Sequence, residues 1–174
     1  MARKTFFIAG TDTDVGKTLV AAGLLVAAKQ QGLTTAALKP LAAGCEKTDA
    51  GLRNADALLL QSVITEPLAY EQINPIALVS AIAPHIAAQQ EKRILSADRI
   101  AGFCRGSLNQ AGFTLVEGAG GWRVPLNPQE TVADVVKILR LPVILVVGGR
   151  LGCINHALLT VDRKSTRLNS SHTD

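Results

Sequence analysis

The stretch that decides the fold is Gly10-Thr11-Asp12-Thr13-Asp14-Val15-Gly16-Lys17-Thr18. It follows an apolar run from Thr5 to Ala9, typical of a β-strand, and opens a helix-like run from Leu19 to Lys29. Strand, loop and helix in this order predict a phosphate-binding loop. In such a loop the amides at the helix start face the phosphate oxygens, the lysine offsets their charge and the Thr18 hydroxyl can ligate Mg²⁺.

The loop departs from the usual spacing of this motif. Thr11 stands where the first glycine is expected, because five residues separate Gly10 from Gly16. A Gly-Lys-Thr triplet can also be an ordinary turn before a helix. The preceding strand and the following helix favour the phosphate-binding interpretation.

Composition is typical of one domain without a nucleic-acid surface. The chain has 174 residues, 48% of them hydrophobic, and its net charge of +4 is spread along the sequence. Aromatic residues make up only 3% and are not interleaved with a basic block, so nucleic-acid binding is not indicated. The apolar run near the amino terminus is shorter than the roughly 7–15 residues of a secretory core, and Leu141 to Val147 is too short for a membrane span. We therefore expect a cytoplasmic protein that does not bind a membrane.

Predicted strands and helices alternate along the chain. Short, almost wholly apolar runs are typical of parallel strands buried on both faces. The pattern predicts an α/β fold, a P-loop NTPase-like, mostly parallel sheet with helices on both faces. We expect strands at Thr34 to Leu38, Phe113 to Val116 and Val143 to Val147, helices at Asp56 to Val63, His85 to Glu91 and Ser96 to Gln110, a loop at Ala42 to Asn54, an irregular stretch at Pro67 to Pro84 and a last helix beginning at Cys153.

Polar residues follow the predicted strands and should meet at one edge of the sheet. Lys39 follows the second strand, Glu117 and a glycine-rich turn follow the third, and Gly148 to Gly152 follow the fourth. Asp56 and Glu117 are candidate carboxylates for Mg²⁺, which prefers oxygen ligands. Spacing alone favours a solvated or capping role for Asp56, and Lys39 could equally be a solvated cation. Glu117 has little structural reason to follow an apolar strand, which favours a functional role.

Cysteine and histidine residues indicate no further site. Cys45, Cys104 and Cys153 are odd in number and far apart, so they predict neither a disulfide framework nor a metal pair. His85 and His156 lack partners at the spacing of metal ligands, which favours packed or surface roles.

Several segments together resemble the dethiobiotin synthetase family. They are the loop 10–18, Lys39-Pro40, Gly51 to Ala57, Val116 to Trp122, Leu141 to Val147 and Leu151 to His156, in order between about residues 4 and 160. The resemblance implies an enzyme, a cyclo-ligase of biotin synthesis that closes 7,8-diaminopelargonate with CO₂ and MgATP to dethiobiotin, ADP and phosphate. A carbamate must then meet a triphosphate, so the site needs fixed positive charge.

The resemblance also implies roles for individual residues. Lys17 and Lys39 are the expected catalytic residues, and Thr18, Asp56 and Glu117 the expected Mg²⁺ ligands. The expected ATP-binding residues are Asp14, Val15, Gly16, Lys17, Thr18, Leu19, Asp56, Glu117, Gly118, Ala119 and Gly120. The expected substrate-binding residues are Thr13, Lys39, Ala43, Gly152, Cys153, Ile154 and Asn155.

Two of these substrate positions have particular implications. Ala43 stands where the family typically has a serine that contacts substrate, so one hydrogen bond is expected to be missing or replaced by Cys45 or a water. The segment Gly152 to Asn155 resembles a helix start that receives the substrate carboxylate from a neighbouring subunit. A homodimer with shared sites is therefore implied.

The carboxyl end departs from the family pattern. Residues 162–174 show no apolar periodicity and resemble translated adapter sequence, although a natural disordered tail is an alternative. We therefore expect an incomplete synthetase domain at 1–161 and a non-native tail at 162–174. The family normally continues with further strands and an Asn-Asp turn that contacts adenine, so this chain is expected to bind nucleotide weakly and to make no measurable dethiobiotin.

Three alternatives stay open at this point. Cobyrinate and cobyric acid synthetases share a similar loop, but they carry a glutamine-hydrolysing domain for which this chain has no room. Partitioning or septum-positioning ATPase switches would have lysine where Asp12 stands. The third alternative is an inert fragment.

Overall fold

The computed structural model of the chain describes residues 3–168. Strands and helices alternate through most of this range, as the sequence pattern predicts. In chain order they are β1 (Lys4–Gly10), α1 (Lys17–Gln30), β2 (Thr35–Leu38), β3 (Leu41–Ala42), β4 (Glu46–Thr48), β5 (Gly51–Arg53), α2 (Ala55–Val63), α3 (Tyr70–Ile73), β6 (Ile76–Ala77), α4 (Pro84–Gln90), α5 (Ala97–Arg105), β7 (Phe113–Gly121), α6 (Val132–Leu139), β8 (Val143–Val146) and α7 (Cys153–Leu168).

The central sheet has the strand order β2-β7-β1-β8, and every pairing in it is parallel. Phe7 of β1 lies opposite Val116 of β7 and Val143 of β8. The carboxyl ends of all four strands therefore lie at one edge of the sheet. The prediction of a parallel sheet is confirmed.

Successive residues of β1 enter different cores on the two faces of the sheet. Ile8 packs with Leu25 of α1 and Leu60 of α2, whereas Phe7 belongs to the cluster that holds Ile100 of α5 and Val135 of α6. Burial on both faces explains why the strand sequences are nearly continuous apolar runs. The predicted layering, with helices on both faces, is confirmed.

The third main strand is longer than predicted, because β7 continues from Val116 to Gly121. A Cβ on Gly118 would lie 2.9 Å from the Phe7 ring, and Gly121 pairs with Gly10 of β1. The glycines that suggested a turn thus allow close approach of neighbouring groups. Glu117 consequently lies inside a buried strand instead of preceding a turn.

Two segments predicted to lack regular structure contain short elements. The predicted loop Ala42 to Asn54 holds the antiparallel hairpin β4–β5, in which Gly51 has a φ of 100° that favours glycine. The predicted irregular stretch Pro67 to Pro84 holds α3 and β6, and β6 pairs with β3 in a two-stranded parallel sheet. These elements are too short to produce a clear periodic signal.

Two helix predictions also need correction. α5 ends at Arg105 and not at Gln110, and α6, from Val132 to Leu139, was not predicted. α6 begins with a capping arrangement in which the Thr131 hydroxyl and backbone amide both donate to Asp134 Oδ2 at 2.8 Å. Although partial burial opposes it, hydrogen bonds from Lys137 and Thr131 lower the pKa of Asp134 to about 2.

The last described helix enters the segment predicted to be non-native. α7 continues past residue 161 to Leu168, while residues 169–174 lie outside the described range. The non-native origin of 162–174 stays a prediction. None of the helices in residues 3–168 combines the length and the apolar character needed to cross a bilayer.

Candidate active site at the carboxyl edge of the sheet

The loop between β1 and α1 wraps around the Lys17 side chain. Gly16, directly before the helix, has a φ of 93°, and Asp14 has a φ of 56°. Lys17 is the first residue of α1, only 7% exposed, and its Nζ donates to the backbone oxygen of Asp12 at 2.9 Å. The ammonium group thus lies inside the loop, next to the positive end of a helix. This arrangement suits binding of an anion such as a phosphate.

Close packing inside this loop requires glycine at residue 10. A Cβ there would lie 2.9 Å from both the Asp12 oxygen and Val15 Cγ2, and 3.0 Å from Lys17 Nζ. Any larger residue would push the loop or the lysine away. The lack of space around Lys17 therefore restricts residue 10, the first residue of the variant motif, to glycine.

Four side chains, three from separate elements and one that directly follows β2, meet beside this loop. Lys39, directly after β2, places its Nζ 2.7 Å from Asp56 Oδ2 of α2 and 2.6 Å from Glu117 Oε1 of β7. The Thr18 hydroxyl of α1 donates to the same Glu117 oxygen at 2.8 Å. The structure therefore brings together the three candidate Mg²⁺ ligands and Lys39. We call Thr18, Lys39, Asp56 and Glu117 the carboxylate cluster.

Glu117 is the most buried member of this cluster, with 1% of the residue exposed. Its Oε1 accepts two hydrogen bonds, but its Oε2 is buried and has no hydrogen-bond partner among residues 3–168. An unsatisfied buried polar group costs about 1–3 kcal/mol, so such a group is rare without a role. The free oxygen is the kind of ligand that a hard divalent cation takes.

Two groups of the carboxylate cluster, Lys39 and Asp56, have shifted pKa values. Burial lowers the pKa of Lys39, but the carboxylates of Glu117 and Asp56 outweigh burial and raise it above its usual 10.5. Burial raises the pKa of Asp56, but Lys39 outweighs burial and lowers it below 3.8. The Lys39 contribution to stability is thus lost only as pH rises through its raised pKa. That of Asp56 is lost only as pH falls through its depressed pKa, so the ion pair persists at neutral pH.

Lys17 behaves differently from Lys39 because no carboxylate of the described residues is in hydrogen-bonding contact with it. Burial, and then repulsion from Lys39, lower the pKa of Lys17 below its usual 10.5. Burial and Lys39 therefore oppose the positive charge of Lys17 in the unliganded protein. Bound phosphate would offset this effect.

The other predicted site residues differ in burial, and contacts place part of them beside the loop. Thr13 and Asp14 are exposed in the loop, and a Cβ on Gly120 would lie 3.5 Å from Thr13 Oγ1, so the end of β7 borders the loop. Val15 is half-buried, Leu19 is exposed on α1 and Ala119 is half-buried in β7. Ala43 is half-buried directly after β3. Gly152, Cys153, Ile154 and Asn155 lie at the start of α7 and are half-buried or exposed.

Comparison with known proteins identifies the family. The AAA domain family model matches residues 4–169. The ATP-dependent dethiobiotin synthetase of Cellvibrio japonicus is 72% identical over 162 residues, which cover 93% of this chain and 71% of that protein. The chain belongs to the dethiobiotin synthetase family. The AAA domain match and the parallel sheet also confirm the predicted P-loop NTPase-like fold.

Other dethiobiotin synthetases match over similar lengths. The protein of Marinobacter nauticus is 60% identical over 163 residues, 93% of this chain and 70% of its own length. The protein of Pseudomonas aeruginosa is 59% identical over 158 residues, 90% of this chain and 69% of its own length. Among solved structures, the signal recognition particle receptor FtsY of Elizabethkingia anophelis matches 90% of this chain and 44% of its own, at 14% identity and a TM-score of 0.47.

Two polar links in this dethiobiotin synthetase family member were not predicted from the sequence. Asp12 of the phosphate-binding loop forms an ion pair with Arg150, which joins that loop to the segment before α7. Tyr70 and Asn74 form buried hydrogen bonds around Lys39. Arg150 stood among residues expected at the same sheet edge, which is a usable signal. Tyr70 and Asn74 lie in the stretch predicted to be irregular, where no sequence pattern indicated a role for them.

Proposed function

We propose that this chain carries the catalytic core for the reaction of its family, the ATP-dependent closure of 7,8-diaminopelargonate (7,8-diaminononanoate) with CO₂ to dethiobiotin, ADP and phosphate, and that turnover also needs the carboxyl-terminal part of the family. The observation that carries the proposal is the carboxylate cluster beside Lys17, in which Lys39 and Glu117 are buried and Asp56 is half-buried. The cluster lies next to a phosphate-binding loop in a chain whose sequence matches dethiobiotin synthetases. The family matches do not favour the cobyrinate-type or partitioning-type alternatives.

The proposed reaction needs positive charge where two anions meet. One amine of the substrate adds to CO₂ and releases a proton, which gives a carbamate. A carbamate oxygen then takes the γ-phosphoryl group and ADP leaves. The second amine attacks the carbonyl carbon, releases a proton and expels phosphate, which closes the cyclic urea. Lys17 and Lys39, both buried, are available to offset the charge of the carbamate and the triphosphate.

Mg²⁺ fits the residues around Glu117 Oε2. The proposed ligands are Thr18, Asp56 and Glu117, an all-oxygen set that includes the unsatisfied buried carboxylate oxygen. When bound, the ion would supply charge to the phosphate oxygens. Lys39 contacts the same two carboxylates, so these groups already carry a cation in the absence of metal.

The remaining predicted residues have proposed binding roles. Asp14 to Leu19, in the loop and at the start of α1, and Gly118 to Gly120 of β7 form the proposed nucleotide surface, together with Asp56 and Glu117. Thr13, Lys39 and Ala43 are proposed to face the diamine or its carbamate. Gly152 to Asn155 are proposed to receive the substrate carboxylate at a helix start. A cytoplasmic location also stays a prediction.

A homodimer is proposed from an exposed apolar stripe on and before α7. Leu151, Ile154, Leu158 and Val161 recur at helical spacing, and Leu151 and Ile154 are 106% and 74% exposed. Such a stripe on a soluble enzyme is typical of an interaction surface. It includes Ile154 of the proposed substrate-binding segment, which agrees with a site shared between two subunits.

Leu158→Glu tests this dimer. We expect the substitution to weaken dimerisation by at least about 30-fold, because burying a carboxylate at the centre of an apolar interface costs about 2 kcal/mol or more. Sedimentation velocity over a concentration series measures the effect. Ile94→Glu, at an exposed apolar residue that is not part of α7 or of the stripe, is the matched control. A monomeric wild-type chain, or a Leu158→Glu variant that dimerises normally, would argue against the interface.

Ala43→Ser tests the proposed substrate contact. Restoring one neutral hydrogen bond should strengthen diamine binding by about 0.5–1.5 kcal/mol, or roughly 2- to 12-fold. Isothermal titration with the diamine measures the change, and Ala50→Ser in the exposed hairpin turn is the control. Unchanged or weaker binding by Ala43→Ser would show that residue 43 does not touch substrate.

Phosphate release and product formation test the proposed function itself. Two proteins are incubated with MgATP, bicarbonate and diaminopelargonate. One is the 174-residue chain, and the other is a continued version, in which the carboxyl-terminal part of the Cellvibrio japonicus relative follows residue 161. We expect the diamine to stimulate phosphate release in the continued version, with dethiobiotin detected by mass spectrometry. Stimulation by DNA or lipid vesicles instead would favour an ATPase switch, and no turnover in the continued version would contradict the proposal.

A further inference from the structure

Lys39 and Asp56 face each other although they come from separate elements. Lys39 follows β2, whereas Asp56 lies in the first turn of α2. The chain between these elements includes the hairpin β4–β5, whose strand β4 is exposed throughout. A short exposed hairpin fixes its ends only weakly, so the spacing between Lys39 and Asp56 needs another support.

A line of hydrogen bonds through α3 provides this support. The Asn54 amide donates to the Tyr70 hydroxyl oxygen at 2.7 Å, and that hydroxyl donates to Asn74 Oδ1 at 3.0 Å. Asn74 Nδ2 then donates to the backbone oxygen of Lys39 at 2.7 Å. Tyr70 and Asn74 are 6% and 3% exposed, so water does not replace these bonds readily.

Both ends of this line are anchored at the functional residues. Asn54 is the residue that caps α2, and its side chain accepts from the Ala57 amide at 3.2 Å, which orients the turn that carries Asp56. At the other end, the Lys39 amide donates to the Ile73 oxygen at 2.8 Å. The Lys39–Asp56 ion pair closes the ring. The side chains of Tyr70 and Asn74 thus connect the backbone at Asn54 with the backbone at Lys39.

The surroundings of Tyr70 keep its hydroxyl group in this arrangement. The guanidinium carbon of Arg53 lies 4.1 Å from the centre of the Tyr70 ring, and Arg53 also pairs with Glu71 at 3.2 Å. Burial raises the pKa of the Tyr70 hydroxyl, so this group keeps its proton and stays a donor to Asn74 at neutral pH.

We propose that Tyr70 and Asn74 are positioning residues that hold Asp56 and Lys39 at the spacing required for metal binding and catalysis. This inference rests on the proposed function, since it concerns the proposed Mg²⁺ ligand Asp56. Tyr70 and Asn74 touch neither nucleotide nor substrate in the proposed site. They act through the cap of α2 and the backbone of Lys39.

Tyr70→Phe is the principal test, because it removes only the hydroxyl group. Partners that orient metal ligands typically contribute 10–100-fold to metal affinity. Tyr70 acts on Asp56 only indirectly, through the backbone of Asn54, so its effect should be smaller. We therefore expect Mn²⁺ to bind about 3- to 10-fold more weakly to Tyr70→Phe in the presence of ATP. Electron paramagnetic resonance of free Mn²⁺ measures this on the 174-residue chain. Amide hydrogen exchange is the second readout, in which the Asn54 amide should exchange faster than in the wild type.

Ile73→Val is the matched control for stability. Ile73 lies in the same helix α3, is fully buried and contributes no polar side chain to the ring. It should lower the melting temperature without changing Mn²⁺ binding or selectively exposing the Asn54 amide. Asn74→Ser, which shortens the donor to Lys39, should weaken Mn²⁺ binding in the same direction as Tyr70→Phe.

The outcomes separate this inference from the proposed function. Wild-type Mn²⁺ affinity in Tyr70→Phe, or an equal loss in Ile73→Val, would overturn the positioning role while leaving the metal site in place. A wild-type chain that binds no Mn²⁺ with ATP would contradict the proposed site, and the positioning role with it. Weaker Mn²⁺ binding confined to Tyr70→Phe and Asn74→Ser supports the inference.

Discussion

Lys17→Ala is expected to lower ATP turnover by about 10²–10³-fold, the usual loss when one preorganised donor to developing phosphoryl charge is removed. The Lys17 ammonium lies inside the phosphate-binding loop at the start of α1 and is almost wholly buried. No other cation enters the loop from α1, because the next lysine of that helix, Lys29, is in its last turn. The site would keep its shape and lose the charge that meets the β- and γ-phosphates.

The same substitution should leave the fold intact. Burial and repulsion from Lys39 lower the pKa of Lys17, so both oppose its positive charge in the unliganded protein. Removing that charge does not lower the free energy of unfolding through electrostatics. Phosphate release and thermal melting, measured on the version continued with the Cellvibrio japonicus segment, separate the two effects. Lys29→Ala is the control, and near-normal turnover by Lys17→Ala would refute the phosphate-loop assignment.

The second large effect is expected at Glu117. Groups that merely orient metal ligands contribute 10–100-fold to affinity, so Glu117→Gln, which alters a proposed ligand, should weaken Mn²⁺ binding by at least about 100-fold. The substitution preserves size in a strand where 1% of the residue is exposed, which limits packing damage. It removes the negative charge that helps to raise the pKa of Lys39.

The dependence of ATP turnover on Mg²⁺ concentration distinguishes loss of a metal ligand from loss of stability. In Glu117→Gln, higher Mg²⁺ concentration should recover part of the ATP turnover, whereas an unfolded protein would not respond to the ion. Paramagnetic resonance of Mn²⁺ gives the direct affinity. Glu46→Gln in the exposed strand β4 changes charge equally without touching the site. Unchanged Mg²⁺ dependence in Glu117→Gln would remove this residue from the metal site.

Much of the site could be predicted because its residues lie directly after strands with strong local patterns. β1, β2 and β8 are short apolar runs, and the parallel sheet brings the residues at their carboxyl ends to one edge. Spacing alone favoured a solvated or capping Asp56, and the resemblance was needed to place it among the metal ligands. The structure then shows Asp56 paired with Lys39, a contact between residues 17 apart that no local pattern encodes.

The parts that were missed have different physical reasons. α6 carries signals that could have predicted it, a Thr131-x-x-Asp134 cap and apolar residues at helical spacing. The extension of β7 depends on glycines that pack against Phe7 and pair with β1, so only the assembled sheet distinguishes them from a turn. The hydrogen bonds of Tyr70 and Asn74 are equally non-local. Their geometry depends on α3, a helix of four residues.

The burial of β1 on both faces restricts how this protein can change during evolution. A one-residue deletion before Gly10 would exchange Phe7 and Ile8 between the two cores, because side chains alternate along a strand. The deletion would also shift the phosphate-binding loop by one residue toward the sheet. Point substitutions can be repaired by neighbouring changes, but this shift would damage both cores and the loop in a single event. The length of β1 should therefore be inherited as strictly as the loop that it leads into.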